Sequence, residues 1–170
     1  MEVFLTFPNV PKSTTDCVAL LAGLLLKQGW MLATAESCTG GMIAAACTDL
    51  AGSSQWFERG LVTYSNHAKH ELLGISGALL AEHGAVSEAV VRAMAEGALT
   101  HSRAQIAVAV TGVAGPAGGS ASKPVGTVWF GFATPAGVCT EMRRFDGGRA
   151  AVREATVQHA LQKLVALLSG

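Results

Sequence analysis

The run QIAVAVT, residues 105–111, constrains the fold more than any other stretch of the chain. Its apolar side chains continue without the alternation expected of a strand with one wet face. Both faces of that strand must therefore be covered, which places it inside a sheet flanked by helices. The neighbouring sequence supplies those helices. Ser13 to Asp16 read as a cap for a helix whose Val18, Leu21 and Leu25 recur at helical spacing and which ends near Gly29. Residues 31–36 read as a short strand, 40–50 as a helix, and GLVTYS around Val62 and Tyr64 as a second strand. Residues 67–73 suggest a short helix closed by Gly74, and Ser87 with Glu88 opens another, lined on one face by Val91, Met94, Ala95 and Ala98.

Beyond the central strand, VGTVWFGFAT and GVCTEMRRFD are joined through the short stretch Pro135, Ala136 and Gly137, the last of which opens the second segment, which predicts an antiparallel hairpin. From Gly148 a final helix carries Val157, Leu161, Leu164 and Leu168 as a core-facing stripe. The expected fold is α/β: a three-layer α/β/α sandwich around a mixed, mainly parallel sheet. No repeat, charge block or low-complexity linker divides the chain, so one domain is expected over 1–170, with residues 1–12 an extended arm broken by Pro8 and Pro11.

Composition narrows the function classes. Half the residues are hydrophobic and 14% are charged, a balance that builds a core and leaves apolar surface for a homo-oligomer, with a dimer favoured. Twelve basic and twelve acidic side chains give no net field and no dense basic cluster, so neither nucleic acid nor a membrane surface is an expected partner. The longest greasy run, VALLAGLLL, is far short of a bilayer span, and the first residues carry no basic leader, which points to a cytoplasmic protein. Cys17, Cys38, Cys47 and Cys139 are scattered without a CxxC pair, against a disulfide framework or a thiolate zinc site.

Two segments carry chemistry. In TAESCTGGMIAAA, Ser37 stands where a strand gives way to a small-residue helix, with Thr39, Gly40 and Gly41 beside it. Ser37 is open to two readings there: an N-cap, or a nucleophile at a helix end whose N–H groups stabilise an oxyanion. Neither GxSxG nor SxxK is present. A nucleophilic serine needs a base. His67, His70, His83, His101 and His159 lack metal-type spacing and read as structural. Lys69, with Tyr64 and Asn66 just past a strand end, is either a solvated helix lysine or that base, in which case burial and a nearby cation must lower its pKa. Arg149 and Arg153 supply such a cation, or pair at the surface with Glu154. The second segment, TGVAGPAGGSASKPVG, begins at Thr111 and Gly112 and includes Gly115; it reads as an anion-binding loop or as a long turn. Thr111 either donates to a ligand or caps that turn.

Taken together, ATAESCTGG, GSSQWFERGLVTYSNHAKHELLG, GAVSEAVVRAMAEGA, AVAVTGVAGPAGGSASKPVGTV and FDGGRAAVREATVQHAL closely resemble the C-terminal domain family of the competence/damage-inducible protein CinA, in its stand-alone nicotinamide-nucleotide amidohydrolase type. The resemblance implies a metal-independent Ser/Lys amidohydrolase converting nicotinamide mononucleotide (NMN) to nicotinate mononucleotide and ammonia in pyridine nucleotide salvage, without a cofactor. By motif it assigns catalysis to Ser37, Lys69 and Tyr64. It gives substrate contacts to Thr39, Gly40, Gly41, Asn66, Thr111, Gly112, Gly115, Arg149 and Arg153. His67 and Ala117 stand where the family usually carries acidic residues, changes that bear on the rim of the pocket. No counterpart of the larger N-terminal domain of CinA proteins is recognised, so no fused role is expected. The rival reading is a non-catalytic nucleotide-binding or regulatory oligomeric module.

Overall fold

The computed structural model describes residues 10–170, so the arm expected over residues 1–12 lies mostly outside the described residues. The elements are α1 (Thr14–Gln28), β1 (Leu32–Glu36), α2 (Met42–Thr48), a 3-10 turn (Ser53–Gln55), β2 (Phe57–Val62), α3 (Asn66–Leu73), α4 (Gly77–His83), α5 (Glu88–Thr100), β3 (Ile106–Gly112), β4 (Thr127–Thr134), β5 (Gly137–Arg144) and α6 (Arg149–Ser169). Serine starts helices repeatedly: the hydroxyls of Ser13, Ser65, Ser76 and Ser87 each accept an N–H from the first turn of α1, α3, α4 and α5. Gly29 and Gly74 close α1 and α3 in the left-handed region, as the sequence predicts.

Among the described residues the sheet has five strands in the order β2-β1-β3-β4-β5. β1 pairs in parallel with β2 and β3, while β4 runs antiparallel to both β3 and β5, so β4 alone opposes the common direction. The mixed, mainly parallel sheet and the β4–β5 hairpin follow the sequence expectation. β3 is buried along almost its whole length. Ile106, Val108 and Val110 join one core with α1, α2 and α6, whereas Ala107 and Ala109 join the other with α5. Side-chain size sets the layer spacing. On the α5 face the strand residues are small, and a Cβ added at Gly131 would sit 2.7 Å from the Val91 carbonyl oxygen. On the α6 face, Leu161 and Leu164 are fully buried with Phe130, each such side chain contributing about 1.5–3 kcal/mol.

Three boundaries differ from expectation. β2 starts at Phe57 and stops at Val62, leaving Tyr64 beyond it; as an edge strand it is only partly covered, so its apolar pattern is weak. Helix α4 was not anticipated, because seven residues with Leu80 alone buried give no periodic stripe. Helix α2 is shorter than 40–50, since Gly40 and Gly41 adopt positive φ ahead of it. Among the described residues no helix is long and apolar enough to cross a membrane.

The topology also opens a crevice. β1 leads to β2 on one side of the sheet, while β3 leads to β4 on the other. The carboxyl ends of β1 and β3 therefore part at a switch point, where α/β sheets commonly hold ligands.

Candidate active site

Ser37 follows the last residue of β1, and its N–H donates to the Val110 carbonyl at 3.1 Å, which ties it to β3. The Gly40 N–H then donates back to the Ser37 carbonyl at 3.1 Å, closing a turn. Gly40 (φ 58°) and Gly41 (φ 103°) take backbone conformations that side chains resist, so the turn requires both glycines. The N-cap of α2 is Gly41, which has no side chain of its own to cap with. Ser37 is thus not the cap of this helix. Its Oγ lies 3.0 Å from Lys69 Nζ instead.

Lys69 sits on the inward face of α3 and is 1% exposed, so it is not the solvated lysine that composition favours. Its Nζ also approaches the carbonyl oxygens of Thr63 at 2.9 Å and Tyr64 at 3.4 Å. Carbonyls only accept, so a charged Lys69 donates to all three oxygens, whereas in the neutral amine the two carbonyls take both N–H donors and the lone pair is left for the Ser37 hydroxyl proton. Burial pushes the Lys69 pKa below its ordinary value. The neighbouring Cys38 thiol is pushed up to about 11, mainly by burial, and so presents no thiolate near neutrality to hold Lys69 in its charged form.

Glu36 is a residue that sequence reasoning passed over. Fully buried at the end of β1, it accepts from Thr39 Oγ1 (2.7 Å), Ile43 N–H (2.8 Å), Ala44 N–H (3.0 Å) and Thr34 Oγ1 (3.2 Å). It caps α2 from the preceding strand, supplying the acceptor that Gly41 lacks. The available signal was a carboxyl side chain at the end of a fully buried strand, before a helix whose own N-cap is a glycine. Glu36→Ala strands these donors in the interior, each at about 1–3 kcal/mol, and is expected to lower unfolding stability by about 3 kcal/mol or more. Urea unfolding measures this; a loss within about 0.5 kcal/mol would show that the capping contacts contribute little.

A cavity of about 220 Å³ opens above Ser37 and Lys69. Tyr64, Asn66, Thr111, Gly112 and Arg149 line it, whereas Thr39, Gly40, Gly41, Gly115 and Arg153 do not. Thr111 donates its hydroxyl to the Ala85 carbonyl at 2.9 Å, so towards a ligand it has acceptor capacity left rather than a proton. The Tyr64 hydroxyl accepts from Arg149 Nη2 at 3.0 Å, and Arg149 Nη1 reaches the Gly115 carbonyl at 3.0 Å. Lys69 meets Tyr64 only through its backbone. Neither Arg149 nor Arg153 pairs with Glu154; Arg153 donates to the carbonyls of Cys38 and Thr39.

Part of the glycine-rich loop is tied to itself and its flanks. N–H groups of Val113, Ser120 and Gly126 donate to carbonyls of the loop and its flanks, and that of Lys123 to Ser120 Oγ, so these donors are closed to an anion. Ala85 and Val86, from the connection between α4 and α5, complete the wall opposite. Small apolar residues carry no chemical signature, and only the fold brings them here. Among the described residues no group of three or more His, Cys, Asp or Glu side chains converges as a metal site.

Fold and site together define an α/β protein with a buried serine–lysine pair at the switch point of a five-stranded sheet. The family model for the CinA C-terminal domain matches residues 14–168. The chain belongs to that family. It is 57% identical over 143 residues to nicotinamide-nucleotide amidohydrolase PncC of Enterobacter agglomerans, covering 84% of this chain and 87% of that one. It is 56% identical over 141 residues to the protein of the same name from Escherichia coli K12, covering 82% and 86%. A crystal structure of a CinA superfamily protein from Escherichia coli superposes with a TM-score of 0.90 at 33% identity, covering 97% of this chain and 94% of that one.

Proposed function

We propose that the protein hydrolyses the carboxamide of NMN to nicotinate mononucleotide and ammonia, with Ser37 as nucleophile and Lys69 as general base. The observation that carries this reading is the buried 3.0 Å contact between Lys69 Nζ and Ser37 Oγ at the floor of the cavity. The amidohydrolase names of the similar proteins support the choice of substrate. Ser37 Oγ attacks the carboxamide carbon as neutral Lys69 takes its proton. The tetrahedral intermediate collapses, the lysine returns that proton to the departing nitrogen, and ammonia leaves an acyl-serine. Water then attacks the acyl carbon, Lys69 takes a proton from it, and nicotinate mononucleotide is released as the proton returns to Ser37.

Arg149, at the mouth beside Tyr64, is the cation for the phosphate, and Asn66 and Thr111 complete the polar wall. The pyridinium charge of the substrate favours the developing oxyanion and disfavours a charged Lys69. The polar groups meeting Ser37 are an amine and backbone amides rather than a metal-ligand set. Exhaustive chelation is therefore expected to leave turnover unchanged; a requirement for added metal would end the metal-free scheme. The assay for the function is ammonia release from NMN beside nicotinamide and nicotinamide riboside. Release from NMN with far slower release from the other two is expected, and no release from NMN would reject the proposal.

A lysine that acts as base must be unprotonated. kcat/KM is therefore expected to rise with pH and level off above a single pKa that lies below the ordinary lysine value of about 10.4. The sign follows from burial: it depresses the pKa, so activity is lost as pH falls through the depressed value. A profile that falls with rising pH over this range would contradict a neutral lysine base.

A further inference from the structure

In the turn that carries the nucleophile, the carbonyls of Ser37, Cys38 and Thr39 are each held. That of Ser37 accepts from Gly40 N–H, while those of Cys38 and Thr39 accept from one side chain, Arg153, at 3.1 Å from Nε and 3.2 Å from Nη2; the Thr39 carbonyl accepts in addition from Met42 N–H at 3.1 Å, so Arg153 alone holds that of Cys38. Arg153 stays outside the cavity, and its guanidinium lies within 3.5 Å of where a Cβ on Gly40 would be. A planar guanidinium fixes two carbonyl directions at once, which a flexible ammonium does not.

Peptide planarity carries that constraint onward. In a trans peptide the N–H points opposite to the C=O, and the peptides of this turn are trans. The Thr39–Gly40 peptide thus has its carbonyl on Arg153 and its N–H on the Ser37 carbonyl. The Ser37–Cys38 peptide in turn has its carbonyl on Gly40 and its N–H at Cys38, which has no backbone acceptor and belongs to a residue lining the cavity. A relay of hydrogen bonds therefore runs from Arg153 through two peptide groups to the Cys38 N–H beside the nucleophile, a donor that no carbonyl takes up and that meets only the thiol of its own residue, each bond polarising the next.

We infer that Arg153 is a positioning residue that aims the Cys38 N–H at the oxyanion, and not a ligand of the substrate phosphate; this rests on the amidohydrolase reading above. The two roles separate in kinetics. Losing the aim of an oxyanion donor lowers kcat, whereas losing a phosphate ligand raises KM. Arg149, in the cavity wall, is the contrasting position.

The test is steady-state ammonia release from NMN by the unaltered chain, Arg153→Met and Arg153→Lys, with binding of NMN measured by calorimetry in a Ser37→Ala background with and without Arg153→Met. Expected results are a fall in kcat of about 100-fold for Arg153→Met, KM within about threefold, and unchanged NMN affinity. Arg153→Lys keeps the charge but not the two-carbonyl geometry, so it is expected to lose at least about tenfold in kcat; it also decides the matter if the Met variant does not fold. A tenfold or greater weakening of NMN binding with kcat retained would overturn the inference in favour of a phosphate ligand, on the scale of about 1.4 kcal/mol per tenfold. Variants with parental kcat and KM would overturn it as well. Absence of turnover by the unaltered chain would reject the parent reading instead, and so is distinguishable from both.

Discussion

Lys69→Met is expected to reduce ammonia release from NMN by about four orders of magnitude or more while leaving the protein folded. The large effect follows because Lys69 is the amine in contact with Ser37 Oγ, and a thioether cannot take a proton from the serine. The stability side runs the other way. Burying a lysine is costly because it disfavours the charged form that the unfolded chain carries, and methionine fills nearly the same volume without that cost, so the melting temperature is expected to hold or rise. The carbonyls of Thr63 and Tyr64 lose a donor, which offsets part of that gain. Assays of ammonia and thermal unfolding on the same preparation check both halves. An unfolded variant would show that the lysine is a structural strut, and a folded, active one that it is no base.

Ser37→Ala carries the second large effect, also about four orders of magnitude or more in kcat, with KM changed little. The hydroxyl caps no helix, and among the described residues its hydrogen bond is to Lys69, so its removal leaves the Ser37–Gly40 turn and the Glu36 cap in place. Binding of NMN is therefore expected to survive when turnover does not. Ammonia release within about tenfold of the parent would mean that water, not Ser37, attacks the amide.

How much of this could be read in advance depended on the range of the interactions. QIAVAVT announced a doubly covered strand because its apolar run is local, and the serine starts and glycine stops of α1 and α3 are equally local signals. The hairpin of β4 and β5 was legible from its short connection. Edge strand β2 and helix α4 were not, since each buries too little to leave a periodic pattern.

The site divides along the same line. Ser37 and Lys69 are separated by 32 residues, and neither residue type alone distinguishes a dyad from a cap and a surface charge. The motif resemblance singled them out, while the crossover from β1 through α2 and β2 to α3 is what brings them together. Glu36 and Arg153 make the opposite lesson. Both act on backbone groups of a turn 37–41 or the helix after it, and such contacts leave no spacing rule in the chain. The glycine loop reads as an anion cradle because glycine supplies positive φ, and only contacts invisible in the sequence take the N–H groups of Val113, Ser120, Lys123 and Gly126 out of that role.

The most direct measurement is turnover of NMN in the presence of hydroxylamine, with products separated by mass and an enzyme-free control. An acyl-serine formed with help from an uncharged lysine predicts the hydroxamate of the mononucleotide, growing with hydroxylamine at the expense of nicotinate mononucleotide and absent from Ser37→Ala. Full conversion to nicotinate mononucleotide with no hydroxamate at any hydroxylamine concentration, and the same products from Ser37→Ala, would contradict it.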